Sequence, residues 1–240
     1  MSWETPPPVW DTPAGRMLDA FLAALKKDAP GYSEPLTIFG SAAIQLCLDE
    51  SFTSADVDVM ALTGNERLRE IAKTAGLGAT GSIRAAYGIQ ICPPQLFRTT
   101  PHYLLRARME RRHGIKVILP HLRDVLLAKL HRSRAPDQEG LAPKDRRAFQ
   151  RVRELCGGHP TEADVIEDLR LCSQDLLIQA AEEPNAFRLN VLDLFRSVFG
   201  RGLDIENEIL KPARQALGTV QDVDHEEIQR RLASLRPDRD

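Results

Sequence analysis

Apolar positions recur along the first half of this 240-residue chain with two alternating periods, and along the second half with only one. Met17, Leu18, Phe21, Leu22 and Leu25 share one side of a 3.6-residue repeat, which predicts an amphipathic helix near residues 14 to 28, stopped by Pro30 and Gly31. "PLTIFG" predicts a short buried strand ending at Gly40, and "SAAIQLCLD" a helix with Ser41 as its N-cap. The chain turns through "ESFTS" into a second strand, "DVDVMAL", followed by the helix "NERLREIAKTAG", closed by Gly76. "GIQIC" and "GIKVIL" are two further strand segments, each ended by proline. Strands that alternate with helices predict an α/β (α+β) core.

Beyond Pro120 the strand signals cease. "HLRDVLLAKLHR", "KDRRAFQRVRELC", "EADVIEDLRLCSQDLLIQAAEE", "FRLNVLDLFRSVF", "LDIENEILKPARQAL" and "HEEIQRRLASL" all carry helical spacing between Gly or Pro breakers. Thr161, three residues before Asp164, resembles a capping box. The expected layout is a loose Pro-rich arm over 1–13, an α/β domain over 14–135 and an all-helical domain over 136–240.

Composition fits a folded globular protein, with 42% hydrophobic and 28% charged residues. No apolar run approaches a bilayer-spanning length, and "MSWETPPPVWDTPAG" has neither the basic start nor the apolar stretch of a signal peptide, so a cytoplasmic location is expected. Cys47, Cys92, Cys156 and Cys172 sit among apolar neighbours without Cys-x-x-Cys spacing and read as buried free thiols. The six histidines include no His-x-x-x-His pair for a transition metal. The net charge of −2 hides a basic stretch: ten Lys or Arg from Arg98 to Arg134 face only Glu110 and Asp124, leaving that stretch at +8 and the rest at −10. Such a run is either a solvated face or a surface for phosphates on a nucleotide or RNA.

The chemistry concentrates in "FGSAAIQLCLDESFTSADVDVM". A strand, Gly40-Ser41 and a helix in succession present helix N-terminal amides to which a phosphate is attracted. Asp56 and Asp58, two apart on a strand, point to one face while Val57 points to the other. Aspartate is depleted in strands, and two adjacent carboxylates repel, so a hard cation such as Mg²⁺ accounts for the pair. An exposed loop ahead of the strand is the plainer reading. Lys129 continues the apolar face Leu122, Val125, Leu126, and Asp145 lies four before Phe149 and seven before Val152. These two inward charges could pair with each other, the lysine could snorkel, or Asp145 could serve as a first-turn acid.

Gly-Ser opening a helix, then Ser54-Ala55-Asp56-Val57-Asp58 entering the next strand, resembles the DNA polymerase β-like nucleotidyltransferase superfamily over Pro35 to Leu62. "ILPHLRDVLLAKLHRSRAPDQEGLAPKDRRAF" is similar to the AbiEii-type toxin nucleotidyltransferases and their uncharacterised relatives. The two motifs cover roughly residues 35 to 150. This resemblance implies a nucleotidyltransferase-like mixed sheet with flanking helices, followed by an all-helical domain. It implies that Gly40, Ser41 and Ser54 hold a nucleoside triphosphate (NTP), and that Asp56 and Asp58 bind Mg²⁺ or Mn²⁺. Lys129 and Lys144 would contact phosphate, and Asp145 would orient one of them or the acceptor.

Two departures stand out. The superfamily's third carboxylate on a neighbouring strand has no counterpart, since Gln90, Cys92 and Lys116 stand there, and Phe52 occupies the place of a frequent arginine. The implied enzyme moves a nucleotidyl group from an NTP to a hydroxyl of RNA such as tRNA, of a protein or of a small molecule. Toxin-like activity checked by an antitoxin partner belongs to the same implication. The alternative is a degenerate module that binds nucleotide or a protein partner without turnover. Phosphatases and glycosyltransferases with Asp-x-Asp place the pair at a strand's end, and no Gly-x-Ser-x-Gly elbow suggests a serine hydrolase.

Overall fold

The computed structural model describes residues 3–52, 56–62, 66–80, 88–133, 140–177, 185–216 and 230, with helix positions 76–80 described by backbone alone. The chain is a mixed α/β protein with one five-stranded mixed sheet. The described residues fall into two compact units: 4–97 with 103–122 and 230, and 3 with 98–102 and 123–216.

In the first unit, helix α1 (Pro13–Asp28) begins with Thr12 as N-cap, its hydroxyl accepting from Gly15 N–H, and with Pro13 in the first turn, where a missing N–H costs nothing. Met17, Leu18, Phe21, Leu22 and Leu25 are all buried, as the repeat predicted. Each contributes on the order of 1.5–3 kcal/mol. The proline-rich start is not a loose arm. Val9 N–H donates to Leu46 O at 2.7 Å, Leu122 N–H donates to the Thr5 hydroxyl at 3.0 Å, and the Arg112 guanidinium lies 4.2 Å from the Trp10 ring centroid. These contacts outweigh the flexibility that composition alone suggested.

Strand β1 (Leu36–Phe39) runs into α2 (Gly40–Cys47), followed by β2 (Asp56–Met60), α3 (Glu66–Thr80) and β3 (Gly88–Cys92). The third helix passes through Gly76, where a stop was expected. A short helix α4 (Tyr103–Arg106) leads to β4 (Arg108–Arg112) and β5 (Ile115–Leu119). The strand order is β3-β2-β1-β5-β4. β1 is antiparallel to β2 and parallel to β5, β2 is parallel to β3, and β4 is antiparallel to β5. Leu36, Ile38, Val57, Val59 and Val117 share one face by register and are fully buried. Asp56, Asp58, Gln90 and Phe39 share the other.

Strand β4 was absent from the sequence reading. "RMERR" lacks apolar alternation, and β4 is an edge strand, where charge blocks pairing with other chains. The signal lay in the turn: His113 (φ 49°) and Gly114 (φ 79°) both take positive φ, the two-residue hairpin connection that matches strand twist.

From Leu122 on, the described elements are helical: α5 (Leu122–Leu130), α6 (Pro143–Leu155), α7 (Glu162–Leu171), α8 (Ala186–Leu194) and α9 (Lys211–Ala216), with π-helical turns over Phe195–Phe199 and Ile205–Leu210. Residues 123–130 of α5 group with this second unit, whereas the sequence pattern carried the first domain to residue 135. Arg123 explains the grouping: it donates to both oxygens of Asp168 at 2.9 Å and to Glu167 at 3.0 Å, joining α5 to α7. The Thr161–Asp164 capping box is present in both directions. The long helix expected from Glu162 breaks at Leu171 into a 3-10 turn, Ser173–Leu176, which delivers Asp175 to His131 at 3.0 Å and to Arg98 at 2.5 Å. Tertiary ion pairs there prevail over helical spacing. The segment "HEEIQRRLASL" lies outside the described residues apart from Arg230. No helix among the described residues is long and apolar enough to cross a membrane.

Candidate active site

The β1–β2 register builds the acidic corner. Phe39, the last residue of β1, pairs with Asp58, so the turn into α2 begins directly across from that carboxylate. Gly40 makes the turn at φ +69°, and a Cβ there would lie 2.1 Å from Asp58 Oδ2. Only glycine meets both demands. Asp58 is therefore seated against the first residue of an eight-residue helix whose every residue is buried. Helix N-terminal amides and dipole favour a negative charge at this place.

Asp56 opens β2, two residues before Asp58 and on the same face, with Val57 fully buried between them. Both carboxylates are half-buried. Across β3, Gly88 stands opposite Asp56, Gln90 opposite Asp58, and the Cys92 thiol lies 4.0 Å from Asp58 Oδ1. Lys116 sits on the same face of β5, by the pairing of Thr37 with Ile118. Among the described residues no group of three or more His, Cys, Asp or Glu side chains is placed to hold a metal ion. Mg²⁺ needs only one or two carboxylates when phosphates and waters complete its octahedron, so this corner fits that ion without a third acid.

Two expectations change. Ser41 is not the N-cap: Phe39 is, without a side-chain cap, and Ser41 lies inside the first turn, 1% exposed. The positive-φ glycine moves the helix start one residue upstream. Phe52, where the resemblance suggests arginine, is buried, its carbonyl accepting from Gln45, which also receives the N–H of Ala14. Ser54 lies outside the described residues.

The second unit holds the other predicted residues. Lys129 Nζ donates to Asp145 Oδ1 at 3.0 Å, with both side chains almost wholly buried. Burial pushes the Lys129 ammonium below its ordinary pKa, Asp145 opposes this by charge and hydrogen bond, and Arg132 and Lys144 lower it further. Arg132 reaches the same Asp145 oxygen at 3.8 Å, and Lys144 is exposed. Two cations, Lys129 and Arg132, thus face one carboxylate. Sequence reading missed Arg132, although its position three after Lys129 on a turn that continues α5 places it on the same side.

Five of the ten cations between Arg98 and Arg134 are held in ion pairs among the described residues, and Arg134 lies outside them. Arg98, Arg112, Arg123, Lys129 and Arg132 are engaged with Asp175, Asp19, the Asp164–Glu167–Asp168 group and Asp145. The cysteines are free, as expected, with burial driving the Cys47 thiol up to about 12; Cys156 is only half-buried. No protein-family model, curated protein or solved structure matches the chain.

Two stability measurements test this geometry. Gly40→Ala should cost roughly 2–4 kcal/mol in urea denaturation, from a left-handed backbone and an overpacked contact. In an Asp58→Ala background the cost should fall to the backbone part, about 1–2 kcal/mol. Equal costs in the two backgrounds would place the carboxylate elsewhere. Asp145→Leu, which strands a buried ammonium, should cost roughly 3–5 kcal/mol. Lys129→Met should cost less, because Arg132 still faces Asp145, and the double replacement should come within about 1 kcal/mol of the parent. A double replacement as damaging as the sum of the singles would contradict the pairing.

Proposed function

We propose that the chain is an NTP-dependent nucleotidyltransferase that moves a nucleotidyl group to a hydroxyl acceptor, releasing pyrophosphate. The observation that carries this reading is the seat of Asp58 against Gly40 at the start of α2, with Asp56 beside it on one face. A carboxylate pair and a helix N-terminus side by side suit one ligand class above others, a triphosphate carrying a divalent cation.

In this reading Asp56 and Asp58 hold the metal through their oxygens. Gly40 and Ser41 offer backbone amides to the phosphates, and the absence of a side chain at Gly40 makes room for the Asp58 carboxylate beside them. Bound Mg²⁺ would supply charge neutralisation on the triphosphate and orient it for in-line attack. Lys144 and the Lys129–Asp145 pair are proposed as the phosphate-directed charges of the second unit. RNA, a protein or a small molecule remain the acceptor classes, and an antitoxin-like partner belongs to the same proposal. The ion pairing of the basic stretch lowers the weight on RNA.

A second reading, a module that binds nucleotide without turnover, is favoured by one specific feature: Gln90 and Cys92, not a carboxylate, flank Asp58 on β3. Incubation with each α-³²P-labelled NTP, Mg²⁺ and total RNA or protein separates the two. The unaltered chain should transfer label, and Asp56→Ala/Asp58→Ala should lower transfer by roughly a thousandfold, about 4 kcal/mol of transition-state stabilisation. Nucleotide binding by calorimetry with no transfer would select the binding module instead.

A further inference from the structure

Strand β4 ends the sheet, and its outer backbone edge is open. The two-residue turn His113-Gly114 makes Arg112 and Ile115 the closing hydrogen-bonded pair of the hairpin, so Glu110 and Arg108 also bond to β5, at Val117 and Leu119. Met109 and Arg111 therefore turn their N–H and C=O groups away from β5. Among the described residues no backbone bond from outside the sheet reaches either of them. Such a row of donors and acceptors is a template for one more strand.

The side chains decide which strand fits. Arg111 pairs across the ladder with Lys116, so both lie on one face of the hairpin, and Arg108 stands exposed at the start of β4. Arg111 donates to the Gly114 carbonyl at 2.9 Å, and none of these three cations is ion-paired among the described residues. Glu110 is the only acid between Arg108 and Leu119.

On the other face of β4, that of Ile115 and α1, Arg112 lines a groove of about 370 Å³ with Trp10, Asp11, Arg16, Asp19 and Ala20. Asp19 balances Arg112 at 2.7 Å and Asp11 balances Arg16 at 2.9 Å. The groove thus offers an indole, a methyl group and neutralised cations, a lining that suits an apolar side chain. All of these residues belong to the first unit.

We infer that the open edge of β4 docks an extended acidic peptide from a protein partner. Its backbone continues the sheet, its carboxylates reach Arg111 and Lys116, and its alternate, apolar side chains enter the groove beside Trp10. A strand can meet both demands because its residues point to opposite faces in turn. The charges that turn away a second copy of β4, an equally basic strand, attract this occupant. The inference stands apart from the nucleotide reading and uses none of its residues.

Fluorescence anisotropy with a labelled ten-residue peptide in which Glu alternates with Val tests it. Two further versions carry backbone N-methyl groups at every Glu or at every Val. The unaltered chain should bind the parent peptide, and one methylated version, not both, should lose about tenfold or more in affinity, because only one set of N–H groups can face β4. Arg111→Glu/Lys116→Glu should lower affinity by at least about tenfold, as should replacing the peptide's Val with Ser. Met109→Pro removes an outward N–H while leaving the bonds to β5 in place, and should weaken binding to a similar degree, whereas Met109→Ala should not. Should Met109→Pro fail to fold, the methylated peptides decide, since they leave the protein unaltered. Equal binding of all three peptides would reduce the attraction to charge alone and overturn the inference. It is overturned as well if the chain takes up no peptide at millimolar concentration, if it prefers single-stranded RNA in a manner indifferent to Met109→Pro, or if sedimentation shows β4 pairing with a second copy of the chain.

Discussion

The register between β1 and β2 fixes the acidic corner on which the functional reading depends. Pairing Phe39 with Asp58 brings a carboxylate to the residue that must turn the chain into α2, and that residue accepts the contact only by being glycine. A slip of one residue would send Asp58 to the face occupied by Val57 and Val59, where an ionised carboxylate has no place. Fold specificity and candidate chemistry are therefore set by the same contacts. The fully buried residues Leu36, Ile38, Val57 and Val59 hold the register, and the register holds the aspartates.

The second unit follows a different economy. Lys129 and Asp145 are both withdrawn from water, an arrangement that gains little stability over an apolar pair and loses heavily if either partner is removed. What such a pair does supply is a fixed charge at a fixed place. Arg132 shares the Asp145 carboxylate and Lys144 adds positive charge felt at Lys129, and a cluster with that imbalance favours an anion. The half-buried aspartates and this cation-rich cluster have opposite electrostatic characters, and each belongs to its own unit.

Much of the fold was legible because burial imposes periodicity. The α1 face, β1, β2, β3 and β5 all appear where apolar spacing placed them; α1, β1, β2 and β5 each bury at least one row of side chains, and β3 half-buries Ile89 and Ile91. β4 was not legible, because an edge strand that buries little has no reason to alternate; only His113-Gly114 marked it. The proline-rich start misled for a related reason: its order comes from backbone bonds to Leu46 and Leu122, which composition does not encode. At the candidate site, the inward direction of Lys129 and Asp145 was readable from helix spacing, as was the common face of Asp56 and Asp58. The Gly40–Asp58 contact and the bonds of Asn190 to the Leu130 carbonyl and of Asp193 to Leu141 N–H arise between elements distant in sequence, and no local pattern reports them.

The central claim is that the β2 aspartates and the start of α2 share one cation-bound triphosphate. Anomalous scattering from crystals grown with Mn²⁺ and a non-hydrolysable NTP analogue tests it most directly. A manganese peak in contact with carboxylate oxygens of both Asp56 and Asp58, with the analogue's phosphates over Gly40 and Ser41, is the predicted result. A bound analogue lying away from this corner, or manganese held by other residues, would contradict the account.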